Sequence, residues 1–151
     1  MGTEVNDFSE IDPRLAGYRK WEGFDPFEEL TGPYFYRQGP DGSFRCALLL
    51  QGKQLSSAGA MHGGALMTFA DYSLFVFALP LLNGISAVTV SLHADFTAPA
   101  QAGEFLESTG EIVHETKSLI FVRGQIFSGS RILLTFSGVL RKVRPKVKEA
   151  G

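Results

Sequence analysis

Apolar and polar positions change rhythm along this chain, and each rhythm predicts a different element. Residues 1–30 are mixed and polar, with Pro13, Gly17, Gly23 and Pro26 as breakers and short helical pieces expected around Pro13–Trp21. Tyr34–Arg37 and Phe44–Leu50 read as strands. Between them Gln38-Gly39-Pro40-Asp41-Gly42 carries the Pro and Gly residues that preset turn angles. Gln51–Ala60 is rich in Gly, Ser and Gln and reads as a loop. Ala65–Leu79 then runs without a breaker and predicts a helix that stops at Pro80, which lacks the amide to continue the ladder. Asn83-Gly84 supplies the next turn.

From Ile85 onward the period shortens to two: Val88, Val90, Leu92, Ala94 and Phe96 alternate with Thr89, Ser91, His93 and Asp95. A turn at Pro99–Gly103 precedes three more strands, Glu104–Glu115, Leu119–Phe127 and Arg131–Val143, the last two joined by a tight hairpin at Ser128-Gly129-Ser130. A hairpin, one long helix and a run of consecutive strands imply an antiparallel α+β domain. The helix is apolar nearly all round, from Leu66, Met67 and Phe69 to Phe77 and Leu79, so it must be enclosed. A curved sheet wrapped around a central helix satisfies both requirements.

Length fits one domain: 151 residues and 16.5 kDa, enough to bury roughly 70% of the unfolded surface. With 44% apolar and 20% charged residues and a mean hydropathy of +0.06, the composition is globular rather than disordered or collagen-like. A net charge of −2 and a pI of about 5.9 offer no strong field for nucleic acid or an acidic membrane. A single cysteine, Cys46, excludes an internal disulfide framework and a Cys-rich metal site. Met1–Asp12 carries four acidic groups and no basic one, unlike a signal peptide. The most apolar stretch, Leu74–Leu82, contains Pro80 and falls short of the roughly 20 residues a bilayer requires. A soluble, cytoplasmic protein is expected.

Asp71 lies inside the apolar helix. Its helical neighbours are Met67, Thr68, Leu74 and Phe75, of which only Thr68 can offer a side-chain hydrogen bond. An unpaired buried carboxylate costs several kcal/mol, so Asp71 must be paired, wet, or protonated. It is either a base or nucleophile in a partly apolar cleft, or a structural group bonded to nearby amides. His62-Gly63-Gly64 opens the helix and leaves its first amides uncovered by side chains. Such amides suit an oxyanion, or simply allow close backbone packing. His62 is a candidate base, with a loop-holding role favoured. Gly64 and Asp71 share a helix face but stand about 10 Å apart along the axis, whereas a carbonyl oxygen and its carbon are only about 1.2 Å apart. One helix cannot serve both atoms. If both residues act, two copies of the chain must meet at a composite site.

The segment His62-Gly63-Gly64-Ala65-Leu66-Met67-Thr68-Phe69-Ala70-Asp71 resembles the HGG-x6-D signature of hotdog-fold thioesterases of the PaaI-like group, within the 4-hydroxybenzoyl-CoA thioesterase superfamily. Val88–Ala100 and Lys117–Val122 resemble the strand and hairpin that follow in that family. The resemblance implies a hotdog fold over residues 31–143, with 1–30 an N-terminal extension and 144–151 a basic tail. It implies hydrolysis of acyl-CoA or aryl-CoA thioesters without metal or other cofactor, by homodimers that often pair into tetramers. It implies Asp71 as general base or nucleophile, Gly63 of a second copy as oxyanion donor, and Thr89 as a hydroxyl orienting the attacking water, with Ser91 beside it. Gly64, Thr68 and Lys117 are further candidates around the substrate. Many members carry Asn or Gln where this chain has Ser56, with Gln54 nearby, so the role of that loop departs from the pattern. Lys117, Arg123, Arg131 and the tail Arg141–Lys148 are candidates for CoA phosphates or an ordinary solvated strand edge. A non-catalytic acyl-CoA-binding domain is the alternative, and it needs no carboxylate at position 71.

Overall fold

The structure is a computed structural model that describes residues 7–144. The enclosure that the apolar helix demands is present. Helix α2 (Gly63–Leu82) lies against one face of a six-stranded antiparallel sheet ordered β1-β2-β4-β5-β6-β3. The strands are β1 (Phe35–Gln38), β2 (Phe44–Leu49), β3 (Ser86–Phe96), β4 (Phe105–Glu115), β5 (Leu119–Ser128) and β6 (Arg131–Val143). This is the hotdog arrangement. Leu66, Phe69, Leu74, Val76, Phe77 and Ala78 of α2 are buried against Leu48, Leu106, Ile120, Ile126, Leu134 and Leu140 of the sheet. By length and composition α2 is long and apolar enough to cross a membrane, but the sheet wrapped around it accounts for that apolarity.

The sheet admits the helix because it is thin where they touch. A Cβ on Gly110 would stand 2.5 Å from the Phe77 ring, and one on Gly138 2.5 Å from Leu74. Gly110 in turn pairs with Gly124 on the neighbouring strand. Side chains at these positions would push the helix away from the sheet.

Two predicted boundaries shift. The helix begins at Gly63 and runs through Pro80 rather than stopping before it. Pro80 sits in the last turn with its ring exposed, so the missing N–H costs one bond near an end that frays anyway. The helix stops where Asn83 takes a left-handed conformation (φ 46°), its N–H bonding the Leu79 carbonyl, with Gly84 (φ 79°) next. The second shift is in β3. Its alternation breaks at a bulge between Thr89 and Ser91. Leu92 and Ala94 face the core as the period predicts, but before the bulge Ala87 and Thr89 face it instead of Val88 and Val90.

Residues 7–31 are tied to the domain. Leu15 and Tyr18 pack with Phe35, Ala47 and Phe105 on the outer face of the sheet. Arg19 then pairs with Tyr36 along the β1 edge, both backbone bonds at 2.9 Å. Beyond the edge the chain reaches the helix side, where Trp21 meets Tyr36 and Tyr72. There it forms a short helix, α1 (Pro26–Thr31), over the exposed stripe of α2. Most of the basic tail lies outside the described residues.

Candidate functional site

Asp71 stands on the stripe of α2 that the sheet does not cover, with half-buried Met67, Thr68 and Phe75 beside it. Its partner is Thr89, whose Oγ1 donates to Oδ1 at 2.5 Å. The β3 bulge aims Thr89 at the helix. Thr68, the only helical neighbour able to reach Asp71, instead donates to the Gly64 carbonyl at 2.9 Å. Burial raises the Asp71 pKa above the usual carboxylate value, and the Thr89 hydroxyl pulls it part of the way back.

Two clefts flank this carboxylate. One, about 550 Å³, lies between Trp21, Tyr34, Phe75, Leu82 and the acidic residues Asp25 and Glu28. The other, about 300 Å³, lies between Phe27, Met67, Thr68 and Tyr72. A larger recess of about 760 Å³ lies on the outward face of the sheet, around Asp95, Arg123 and Thr135. Of the predicted site residues it contains only Arg123, a candidate for the CoA phosphates, which is ion-paired to Glu111. Among the described residues no cluster of His, Cys, Asp and Glu is arranged to hold a metal ion.

At the start of α2 the amides sort themselves. His62 is the N-cap, and its Nδ1 accepts the Gly64 N–H at 2.8 Å. The Ala65 and Leu66 amides both reach the His62 carbonyl. Gly64 is therefore committed to the cap, and a Cβ there would stand 3.0 Å from the ring nitrogen it bonds. That leaves the Gly63 N–H as the first-turn amide without a partner among the described residues. The Phe96 ring, from the far end of β3, stands against Gly63. His62 Nδ1 is thus engaged in capping the helix.

Ser56 and Lys117 are not brought to Asp71. The Ser56 hydroxyl accepts the Ala58 N–H at 3.3 Å within its own turn. Gln54 is buried and braces the site, its Nε2 donating to the Thr31 carbonyl at 2.6 Å and its Oε1 accepting the Gln51 N–H. Lys117 is exposed in the β4–β5 turn, at the end of the sheet where Leu119 and Val88 both pair with Arg141. Sequence reading missed α1 and its Glu28. The signal was present in Asp25-Pro26: an N-cap aspartate, which accepts the Phe27 and Glu28 amides, followed by proline at the first helical position.

Known proteins resemble this chain in sequence and shape. A family model described as "Thioesterase superfamily" matches residues 58–135. "Putative esterase PA0474" of Pseudomonas aeruginosa is 32% identical over 125 residues, covering 78% of this chain and 93% of that protein. Human "Acyl-coenzyme A thioesterase 13" is 24% identical over 95 residues, covering 63% of this chain and 68% of that protein. A solved mutant of the phenylacetic acid degradation protein PaaI from Thermus thermophilus is 27% identical, with a TM-score of 0.67. The match covers 79% of this chain and all of that one.

Proposed function

The chain belongs to the thioesterase superfamily, and from that premise we propose that it hydrolyses an acyl-CoA or aryl-acyl-CoA thioester at a site shared by two copies. The observation that carries this reading is Asp71: a carboxylate with a raised pKa, oriented by Thr89 at the wall of a partly aromatic cleft. A domain that only binds acyl-CoA has no need of so costly a group.

The second copy follows from geometry. Gly63 and Asp71 lie eight positions apart on one helix, about 12 Å along its axis, too far to act on one carbonyl. β3 runs between them, with Thr89 on Asp71 at one end and Phe96 on Gly63 at the other. It is also the open edge of the sheet, with Val88, Val90 and Phe96 at least half exposed. Antiparallel pairing of two such edges about a two-fold axis lays the Thr89 end of one strand alongside the Phe96 end of the other. Each Asp71 then approaches the free Gly63 amide of the other copy.

In this site Asp71 takes a proton from water as the hydroxide oxygen bonds the thioester carbon. Alternatively its carboxylate attacks that carbon, and water cleaves the resulting anhydride. The carbonyl oxygen gains its charge against the Gly63 N–H, a donor worth about 3–4 kcal/mol in comparable sites. The C–S bond breaks and the thiolate leaves without strong acid assistance, since its conjugate acid has a pKa near ~8.5. Lys117 and Arg141, exposed at the Thr89 end of the sheet, suit the CoA phosphates.

Subunit complementation tests the reading. Asp71→Asn removes the base, with turnover expected to fall at least ~100-fold while substrate binding persists. Gly63→Pro removes the donor amide at a helix position that accepts proline. Refolded as an equal mixture, the two inactive variants should recover about a quarter of wild-type activity, because half the dimers are mixed and each mixed dimer holds one intact site. No recovery would defeat the shared site, full activity of Asp71→Asn would defeat the catalytic role of Asp71, and a wild type that releases no thiol from a panel of acyl- and aryl-CoA esters would defeat the hydrolytic assignment.

A further inference from the structure

We propose that Glu28, supplied by the N-terminal segment, is a second carboxylate of this site and a positioning residue that sets the basicity of Asp71. The inference rests on the hydrolytic reading above. Glu28 lies outside residues 58–135, the span that the family model matches.

The geometry has three parts. First, α1 is pinned at both ends. Asp25 Oδ1 accepts the Phe27 and Glu28 amides at 3.0 and 2.9 Å. At the other end Gln54 Nε2 holds the Thr31 carbonyl and Lys53 Nζ the Leu30 carbonyl, at 2.6 and 3.2 Å. Second, Glu28 is half-buried and forms part of both clefts that flank Asp71, so the two carboxylates share one wall. Third, the surrounding charge is mostly negative. Asp25 and Glu29 lie on its own helix, Glu22 precedes them, and Asp71 faces it from α2. Of the lysines at α1, Lys20 is ion-paired with Glu29 at 3.3 Å and Lys53 is bonded to the Leu30 carbonyl at the far end. The phenols in the same walls, Tyr34 and Tyr72, both have raised pKa values from burial and stay neutral.

Burial, then the charges of Asp25, Asp71 and Glu29, push the Glu28 carboxyl up to about 7. Asp71 therefore ionises first, and Glu28 keeps its proton until near neutrality. When that proton leaves, a second negative charge stands beside Asp71 and strengthens its hold on a proton taken from water. Glu28 itself forms and breaks no bond in the reaction.

The test is the pH dependence of kcat, followed by loss of thioester absorbance with benzoyl-CoA and hexanoyl-CoA, on the full chain. Wild type should rise in two steps, the second centred near pH 7 and worth about threefold, half the logarithm of a coupling of ~1 pK unit. Glu28→Gln should lose the second step and keep the first, and Glu28→Asp should restore a displaced second step. A two-step profile in Glu28→Gln, or a single step in wild type, overturns the proposal. Should Glu28→Gln fail to fold, carboxyl NMR of the wild type decides: a glutamate titrating near pH 7 supports it, and none does the opposite. Asp71→Asn separates the two claims. If it is inactive while Glu28→Gln keeps the wild-type profile, only the Glu28 role fails. If it retains wild-type turnover, the catalytic role of Asp71 on which the Glu28 role rests fails.

Discussion

In the proposed reaction Asp71 trades stability for chemistry, and the sign of that trade is measurable. Its raised pKa means the folded chain binds the Asp71 proton more tightly than the unfolded chain does. Its contribution to stability is therefore lost as pH rises from the unfolded carboxylate value through the raised folded one. Asp71→Asn is neutral throughout and keeps an oxygen to accept the Thr89 hydroxyl. The variant should melt above wild type at pH 7–8, with the difference vanishing where wild-type Asp71 is protonated in both states. Thermal melts across pH check this, and a variant less stable at neutral pH would contradict it. At this scale the sequence was informative where it breaks a local rule: an acid in an apolar helix and two glycines at its start. It could not reveal that His62 caps Gly64, since that choice depends on the loop conformation that Gln54 braces.

Among elements, the strands and the long helix were legible because their periods are strong. The exceptions have local causes. Pro80 did not end α2, because a proline near a frayed end removes little. The β3 bulge was invisible, since Val88, Val90, Leu92 and Ala94 keep a regular period through it; yet the bulge delivers Thr89 to Asp71. Helix α1 is too short to carry a period, and only its capping residues announce it. The sheet glycines were also unread, because their role appears only against the partner element. Gly138→Ala drives a methyl into Leu74 and should cost about 1–3 kcal/mol, seen as a lower denaturation midpoint at unchanged m-value. Combined with Leu74→Ala it should cost less than the sum of the two single changes, and simple additivity would mean the clash is relieved elsewhere.

For the whole molecule, the α+β hotdog architecture follows from an all-round apolar helix followed by unbroken strands. How the N-terminal fifth is used does not. Its polar, broken sequence reads as an appendage, but it clasps the sheet from outside through Leu15 and Tyr18 and ends above Asp71. The two margins of the sheet consequently differ. One is occupied by Arg19, and the other, β3, is bare among the described residues. A ribbon that offers hydrogen bonds along a single border can join one other ribbon and then has nothing left to offer, so association halts at a pair instead of growing into a fibril. Deleting residues 1–20 should uncover the second border and make assembly open-ended, visible as light scattering that climbs with concentration, whereas the full chain should level off at a fixed particle size.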